Sequence, residues 1–163
     1  MITHERLKEL LRYDCDTGEF FWLKPTSNRV KVGQKAKALS HGYVSIRLDN
    51  KTYRGHRLVW LYVYGVMPKN TIDHIDGNPA NNKLSNLREA TQQQNSFNLK
   101  KPVTNTSGYK GVHFHKITNK WRAVVSVNNK PKHLGLYKTP EEASIVYNNW
   151  CIENRGDFAW LNK

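Results

Sequence analysis

Thirty residues near the middle of the chain, Thr71–Lys100, constrain what it can fold into more than any other stretch. Ile72–Ile75 reads as a short strand, Asp76–Lys83 as a polar loop rich in turn formers, and Leu87–Glu89 as a second short strand. Thr91 followed three residues later by Gln94 is a capping-box pattern, in which each side chain satisfies a backbone N–H left unpaired at a helix start. Asn95 then lies just beyond the first turn of that helix. The segment therefore dictates the order strand, loop, strand, helix.

The flanking sequence supplies the rest of an α+β chain, and its 163 residues are enough for one ordinary domain or two small ones. Thr3 caps a helix running to about Arg12, with Leu7, Leu10 and Leu11 at helical spacing, and the Asp16-Thr17-Gly18 turn leads into a strand at Glu19–Leu23. Residues 26–40 are basic and poor in large apolar groups, which predicts a loop able to lie along a DNA backbone. Gly42–Leu48 and Thr52–Arg54 flank a turn at Asp49-Asn50-Lys51 and form a hairpin, and His56–Tyr64 is an apolar helix or strand ending at Gly65. Lys101–Ser107 is polar and contains Pro102, after which the pattern restarts. Tyr109–Lys116, Lys120–Val127 and Lys132–Lys138 read as a three-stranded meander. Thr139-Pro140-Glu141-Glu142 then starts a helix whose Ala143, Val146, Tyr147, Trp150 and Cys151 make one apolar face, ended by Gly156. The organisation this predicts is residues 1–100, a linker over 101–106, and a second module over 107–163.

Charge narrows the partner. Lys and Arg number 26 against 13 Asp and Glu, a net charge of +13. From Phe20 to Ile72 a single acid, Asp49, stands among ten basic residues, and from Ala90 to Pro140 there is no acid among nine. Both blocks are interleaved with aromatics, the footprint of a protein that meets nucleic acid through its phosphates. Asp73 and Asp76, retained between the blocks, mark a place where a cation sits. Cys15 and Cys151 are the only cysteines, so no paired-cysteine motif exists for a structural zinc, and two reduced thiols are expected. No run approaches the roughly 18 apolar residues of a membrane span, and the N-terminal MITHERLKEL has no signal-peptide core. A soluble, cytoplasmic protein with no membrane or small-molecule partner is the expectation.

Phosphodiester cleavage needs an attacking water, a base for its proton, and positive charge on the scissile phosphate and leaving oxygen. An imidazole, which changes charge near about pH 6.5, can be that base, and His74 is the candidate. Asp73 offers a hard carboxylate and Asn95 an amide oxygen, and oxygen ligation completed by water suits Mg²⁺ or Mn²⁺ better than zinc. Neighbours on a strand point to opposite faces, so Asp73 and His74 can share one site only if the strand end near Ile75-Asp76-Gly77 is distorted.

The residues Asp73-His74-Ile75-Asp76-Gly77-Asn78, Asn81-Asn82, Asn86-Leu87-Arg88, Thr91 and Asn95 together resemble the HNH endonuclease motif in the form found in phage and mobile-intron homing enzymes. The resemblance implies a ββα-metal module with its motif core over 56–99, acting in a bacterial or phage-infected cell. In it His74 is the general base, Asp73 and Asn95 bind a divalent ion, Mg²⁺ ahead of Mn²⁺, and Asn86 ties the loop so that His74 is oriented. His56-Arg57-Leu58 also looks like that subgroup. It offers His56 or Arg57 as a contact to the scissile phosphate, with packing an equal alternative for His56. Arg88 is a further DNA-contact candidate, and Asn78, Asn81 and Asn82 read as turn formers.

The second module resembles the AP2/ERF DNA-binding domain through Tyr109-Lys110-Gly111-Val112, Trp121-Arg122-Ala123, Leu134-Gly135, Thr139-Pro140-Glu141-Glu142-Ala143, Tyr147 and Arg155–Asn162. That resemblance implies a three-stranded antiparallel sheet laid on the DNA major groove with a helix behind it. Its DNA contacts then fall on Lys110, His113, His115, Arg122, Lys132 and His133, with Trp121 open between packing and DNA. Lys and His where that family uses Arg remove any inference about the target sequence, because the bidentate Arg–guanine contact is the commonest specific reader. The function expected is a metal-dependent, site-specific endonuclease acting on double-stranded DNA as a nicking monomer. The alternative is a sequence-specific DNA-binding regulator with a vestigial nuclease site.

Overall fold

The computed structural model describes residues 1–24 and 26–163. It divides into two compact units, Met1–Asn95 and Ser96–Lys163.

In the first unit Thr3 caps helix α1, His4–Leu10, through its hydroxyl, which accepts the Arg6 N–H at 3.2 Å. The helix stops two residues short of the sequence expectation. Leu11–Asp14 is instead a strand, β1, paired antiparallel with β2, Glu19–Trp22, so that Leu11 faces Trp22 and Tyr13 faces Phe20. The pairing puts Leu11, Phe20 and Trp22 into the same core as Leu7 and Leu10 of the helix, and burial outweighs one more helical turn.

Residues 26–40 are more ordered than a loop lying open for DNA. Trp22 and Ala36 donate to Gln34 and Phe20 carbonyls at 2.9 and 2.7 Å, Ala36 is buried, and Ala38–Ser40 forms strand β3. Lys35 and Lys37 reach Glu19 at 2.7 and 3.8 Å. Strand β3 pairs with β4, Tyr43–Leu48, which pairs with β5, Lys51–Arg54. The β4–β5 turn places Asp49 and Asn50 at φ 44° and 64°, the left-handed pair of a two-residue hairpin.

The apolar segment after β5 is a helix, α2, Gly55–Tyr64, closed by the left-handed Gly65. It buries Leu58, Val59 and Leu61 against Leu48, Ile72 and Leu87. Then come β6, Thr71–His74, a short 3-10 turn at Leu84–Asn86, β7, Leu87–Ala90, and α3, Gln92–Phe97. Strands β6 and β7 form an antiparallel pair, so the order strand, loop, strand, helix is as read from sequence.

In the second unit β8, Val112–His115, β9, Lys120–Val127, and β10, Lys130–Tyr137, form an antiparallel sheet in the order β10-β9-β8. Helix α4, Pro140–Arg155, starts at Thr139, whose hydroxyl accepts the Glu142 N–H at 3.2 Å. Its Ala143, Tyr147 and Cys151 pack on Val112, Ala123 and Val125 of the sheet. Among the described residues no helix is long and apolar enough to cross a membrane.

Candidate active site

The β6–β7 ladder sets Asp73 opposite Arg88 and His74 opposite Leu87. Asp73 and His74 are both buried, at 3% and 6% exposure, but their surroundings differ. The Arg88 guanidinium donates from Nε and Nη2 to the same carboxylate oxygen, Oδ2 of Asp73, at 2.8 and 2.7 Å. Arg88 is the cationic partner of this buried side chain. Arg88, read from sequence as a DNA contact, is thus drawn inward by its cross-strand neighbour.

His74 ends the strand. The Gly77 N–H turns back to the His74 carbonyl at 2.8 Å, with Gly77 at φ 63°, so the chain leaves its pleat where the sequence requires. The imidazole stands edge-on to His56, with centroids 5.1 Å apart at 88°, and 6.1 Å from the ring of Tyr43. Its Nε2 lies 3.1 Å from Oδ1 of Asn82.

The loop between the strands is held by asparagines. Asn86 donates from Nδ2 to Asp76 Oδ1 and the Asn81 carbonyl, both at 2.9 Å, and accepts the Asp76 N–H at 3.0 Å. Asn81 donates to Asp76 Oδ2 at 2.7 Å. Burial works against the Asp76 charge, but donation from Asn81, the Asn78 N–H and Asn86 holds its carboxyl below the usual range. Both oxygens of Asp76 are therefore engaged in loop closure. Asn86 bridges the two sides of the loop, while the side chain that meets the His74 ring is Asn82, whose sequence setting is that of a turn former. The doubled Asn81-Asn82 was the one available signal, since Asn81 alone meets the needs of the turn.

The structure places His56 inside the first unit. The ring is 9% exposed and lies against Tyr43 and His74. Burial first, then the charges of His74, Arg57 and Arg54, push its pKa down to about 3, so it is neutral near pH 7. Arg57 donates to the Pro68 and Asn70 carbonyls at 3.1 and 3.3 Å, tying down the segment after α2. Asn95 sits partly exposed on α3, whose start carries the capping box as read: the Gln94 N–H donates to the Thr91 hydroxyl at 3.2 Å, and the Thr91 N–H to the Gln94 side chain at 2.9 Å. No group of three or more His, Cys, Asp or Glu gathers as a metal cluster among the described residues. A donor set of one carboxylate and one amide fits a hard ion that keeps most of its water.

In the second unit Ala123 and Val125 of β9 face α4, so the alternate residues Arg122 and Val124 face away from it. Register sets His113 opposite Arg122 and His133 opposite Val124, and His115 is two residues along from His113. Four expected DNA contacts, His113, His115, Arg122 and His133, thus share the outer face of the sheet. Two others do not. Lys132 is opposite Val125, on the helix side, with Nζ 5.7 Å over the Trp150 ring. Lys110 turns inward and donates to the Phe97 and Leu99 carbonyls at 2.8 and 2.6 Å. Burial, then the Arg155 charge, lowers its pKa to about 8. Trp121 packs edge-on against Phe114 at 5.1 Å and over Val112, Ala123 and Ala143.

Comparison with known proteins bears on the first unit most directly. The HNH endonuclease family model matches residues 53–97. Protein 3.8 of Escherichia phage T7 is 47% identical over 110 residues, covering 67% of this chain and 90% of that protein. The uncharacterized HNH endonuclease L560 of Acanthamoeba polyphaga mimivirus is 40% identical over 111 residues, 66% of this chain, which spans 56% of that relative's length. The structure titled "DNA binding and cleavage by the HNH homing endonuclease I-HmuI" is 26% identical, covers 89% of this chain and 77% of that one, and has a TM-score of 0.41, too low to transfer an arrangement.

The buried imidazole of His56 makes the first unit acid-sensitive. Its ring takes up a proton near about pH 6.5 when unfolded and only near about 3 when folded, so stability falls as pH drops below the upper value and continues to fall toward the lower. Lowering the pH from about 7 to about 5 costs roughly 1–2 kcal/mol through this residue, and His56→Gln removes that loss. Urea midpoints of both proteins at the two pH values check it, and equal losses would show that the ring protonates freely in the folded state.

Proposed function

The chain belongs to the HNH endonuclease family, and we propose that it cuts double-stranded DNA in a metal-dependent, site-preferring reaction, nicking one strand per engagement as a monomer. The observation that carries the reading is the pairing of a buried imidazole, His74, with a buried carboxylate, Asp73, at the end of one strand in a chain of net charge +13.

In this reading His74 is the general base. It takes the proton of a water whose oxygen attacks the phosphorus as the bond to the leaving sugar oxygen breaks. Asp73 and Asn95 would hold the divalent ion, Mg²⁺ or Mn²⁺, with Asn86 keeping the loop shape. When bound, that ion supplies positive charge to the scissile phosphate and the leaving oxygen. Arg88, two bonds deep in Asp73, holds one carboxylate oxygen and so fixes the direction of the other.

Target preference belongs to the second unit, which we read as an AP2/ERF-like DNA-binding module. Support comes from the three-stranded sheet backed by one helix and from the outer face shared by His113, His115, Arg122 and His133. Arg122 is the strongest reader there, because its guanidinium alone among the four can make a bidentate contact to guanine.

Two variants test the division of labour. His74→Ala is expected to lower nicking of a DNA substrate by about 10²–10⁴-fold while gel-shift affinity stays within about twofold. Undiminished nicking would remove His74 as the base. Arg122→Ala is expected to cost about 1–3 kcal/mol of binding to a preferred site selected from random duplexes, with nicking of non-selected plasmid retained. An unchanged preference would move target reading off the sheet.

A further inference from the structure

Asn82 is the most buried polar residue of the β6–β7 loop, at 2% exposure, although nothing in its sequence setting asks for burial. Its backbone is gripped from a distant part of the first unit. The Tyr13 hydroxyl donates to the Asn82 carbonyl at 2.9 Å and accepts the Leu84 N–H at 3.1 Å, spanning 69 and 71 residues of sequence. Gly18, at φ 74° in the β1–β2 turn, comes so close that an added Cβ would lie 2.7 Å from the Asn82 carbonyl carbon. On the other side, a Cβ on Gly55 at the start of α2 would lie 2.8 Å from Asn82 Nδ2. The side chain so confined sets Oδ1 against Nε2 of His74 at 3.1 Å.

An amide oxygen only accepts, so the ring nitrogen that meets it carries the hydrogen. A neutral imidazole has one N–H, and the other nitrogen then holds the lone pair. We propose that Asn82 is a positioning residue that fixes His74 in its Nε2–H tautomer and presents Nδ1 as the basic nitrogen, with the β1–β2 hairpin enforcing this through Tyr13. The consequence for rate rests on the reading of His74 as general base; the tautomer does not. The N-terminal hairpin thereby acts on the site through the loop it holds.

The test is a long-range ¹⁵N–¹H NMR spectrum of His74 in the full chain, paired with steady-state nicking. Wild type and Asn82→Asp, which keeps an acceptor oxygen, are expected to show the Nε2–H pattern, and Asn82→Leu a mixed or Nδ1–H pattern. Asn82→Leu is expected to lower kcat by about 10- to 100-fold at an unchanged KM for DNA, with Asn82→Asp recovering most of the loss. Should Asn82→Leu lose its amide dispersion and fail to fold, Tyr13→Phe carries the test. It keeps the ring packing on Phe20 and Tyr62, and loss of its hydrogen bonds is expected to lower kcat about fivefold and broaden the His74 signals. An Nδ1–H pattern in wild type overturns the proposal, as does an unaltered tautomer and kcat in Asn82→Leu, or in Tyr13→Phe where it stands in. If His74→Ala cuts as well as wild type while Asn82→Leu still shifts the tautomer, the base assignment fails and the positioning by Asn82 stands.

Discussion

The hydroxyl of Tyr13 holds the loop on which the site depends. Residues 75–86 contribute only Leu84 to the apolar core, so packing alone cannot position them. One phenol, donating to Asn82 and accepting from Leu84, ties the loop to a hairpin whose own place is set by Leu11, Phe20 and Trp22 in that core. Burial of a few large side chains near the N-terminus is thereby converted into the placement of a polar segment some seventy residues later. A loop made of asparagines suits this task. Each side chain donates and accepts, so Asn78, Asn81 and Asn86 complete the hydrogen bonding of a backbone that makes little regular structure of its own.

The acids of the first unit follow the same economy. In a chain with twice as many basic as acidic residues, each carboxylate near the site has a defined partner. Asp73 meets Arg88 across the ladder, and Asp76 meets the loop asparagines and the Asn78 N–H. A buried carboxylate beside a guanidinium is poor evidence for stability in general, because desolvation offsets much of the attraction. Its value here is direction, since two donors on one oxygen leave little freedom to the carboxylate plane.

Local pattern made much of the fold legible. The capping box at Thr91 and Gln94, the Thr139 cap of α4, the left-handed Asp49-Asn50 turn and the alternation of β8 to β10 are short-range chemistry, and each is found where the residues imply it. The strand at Leu11–Asp14 was hidden because its leucines also fit a helix, and only pairing with Glu19–Trp22 decides between the two. Long polar side chains were the least legible. Arg57, Arg88, Lys110 and Lys132 all read as cations for DNA, yet carbonyls, a carboxylate and an aromatic ring of the same chain engage them. Asn82 escaped for the same reason: a polar residue in a turn-rich run reveals its partner only once the long-range contacts are made.

The reading turns on a hard-ligand site at Asp73 and Asn95, served by His74, as the centre proposed to cut DNA. The most direct measurement is the conversion of supercoiled plasmid to nicked circle in Mg²⁺, followed through addition of excess EDTA and then of excess Mg²⁺. Nicking is expected to stop with chelator and to resume when the ion is restored. Nicking that continues at the same rate in EDTA would remove the metal ion from the reaction.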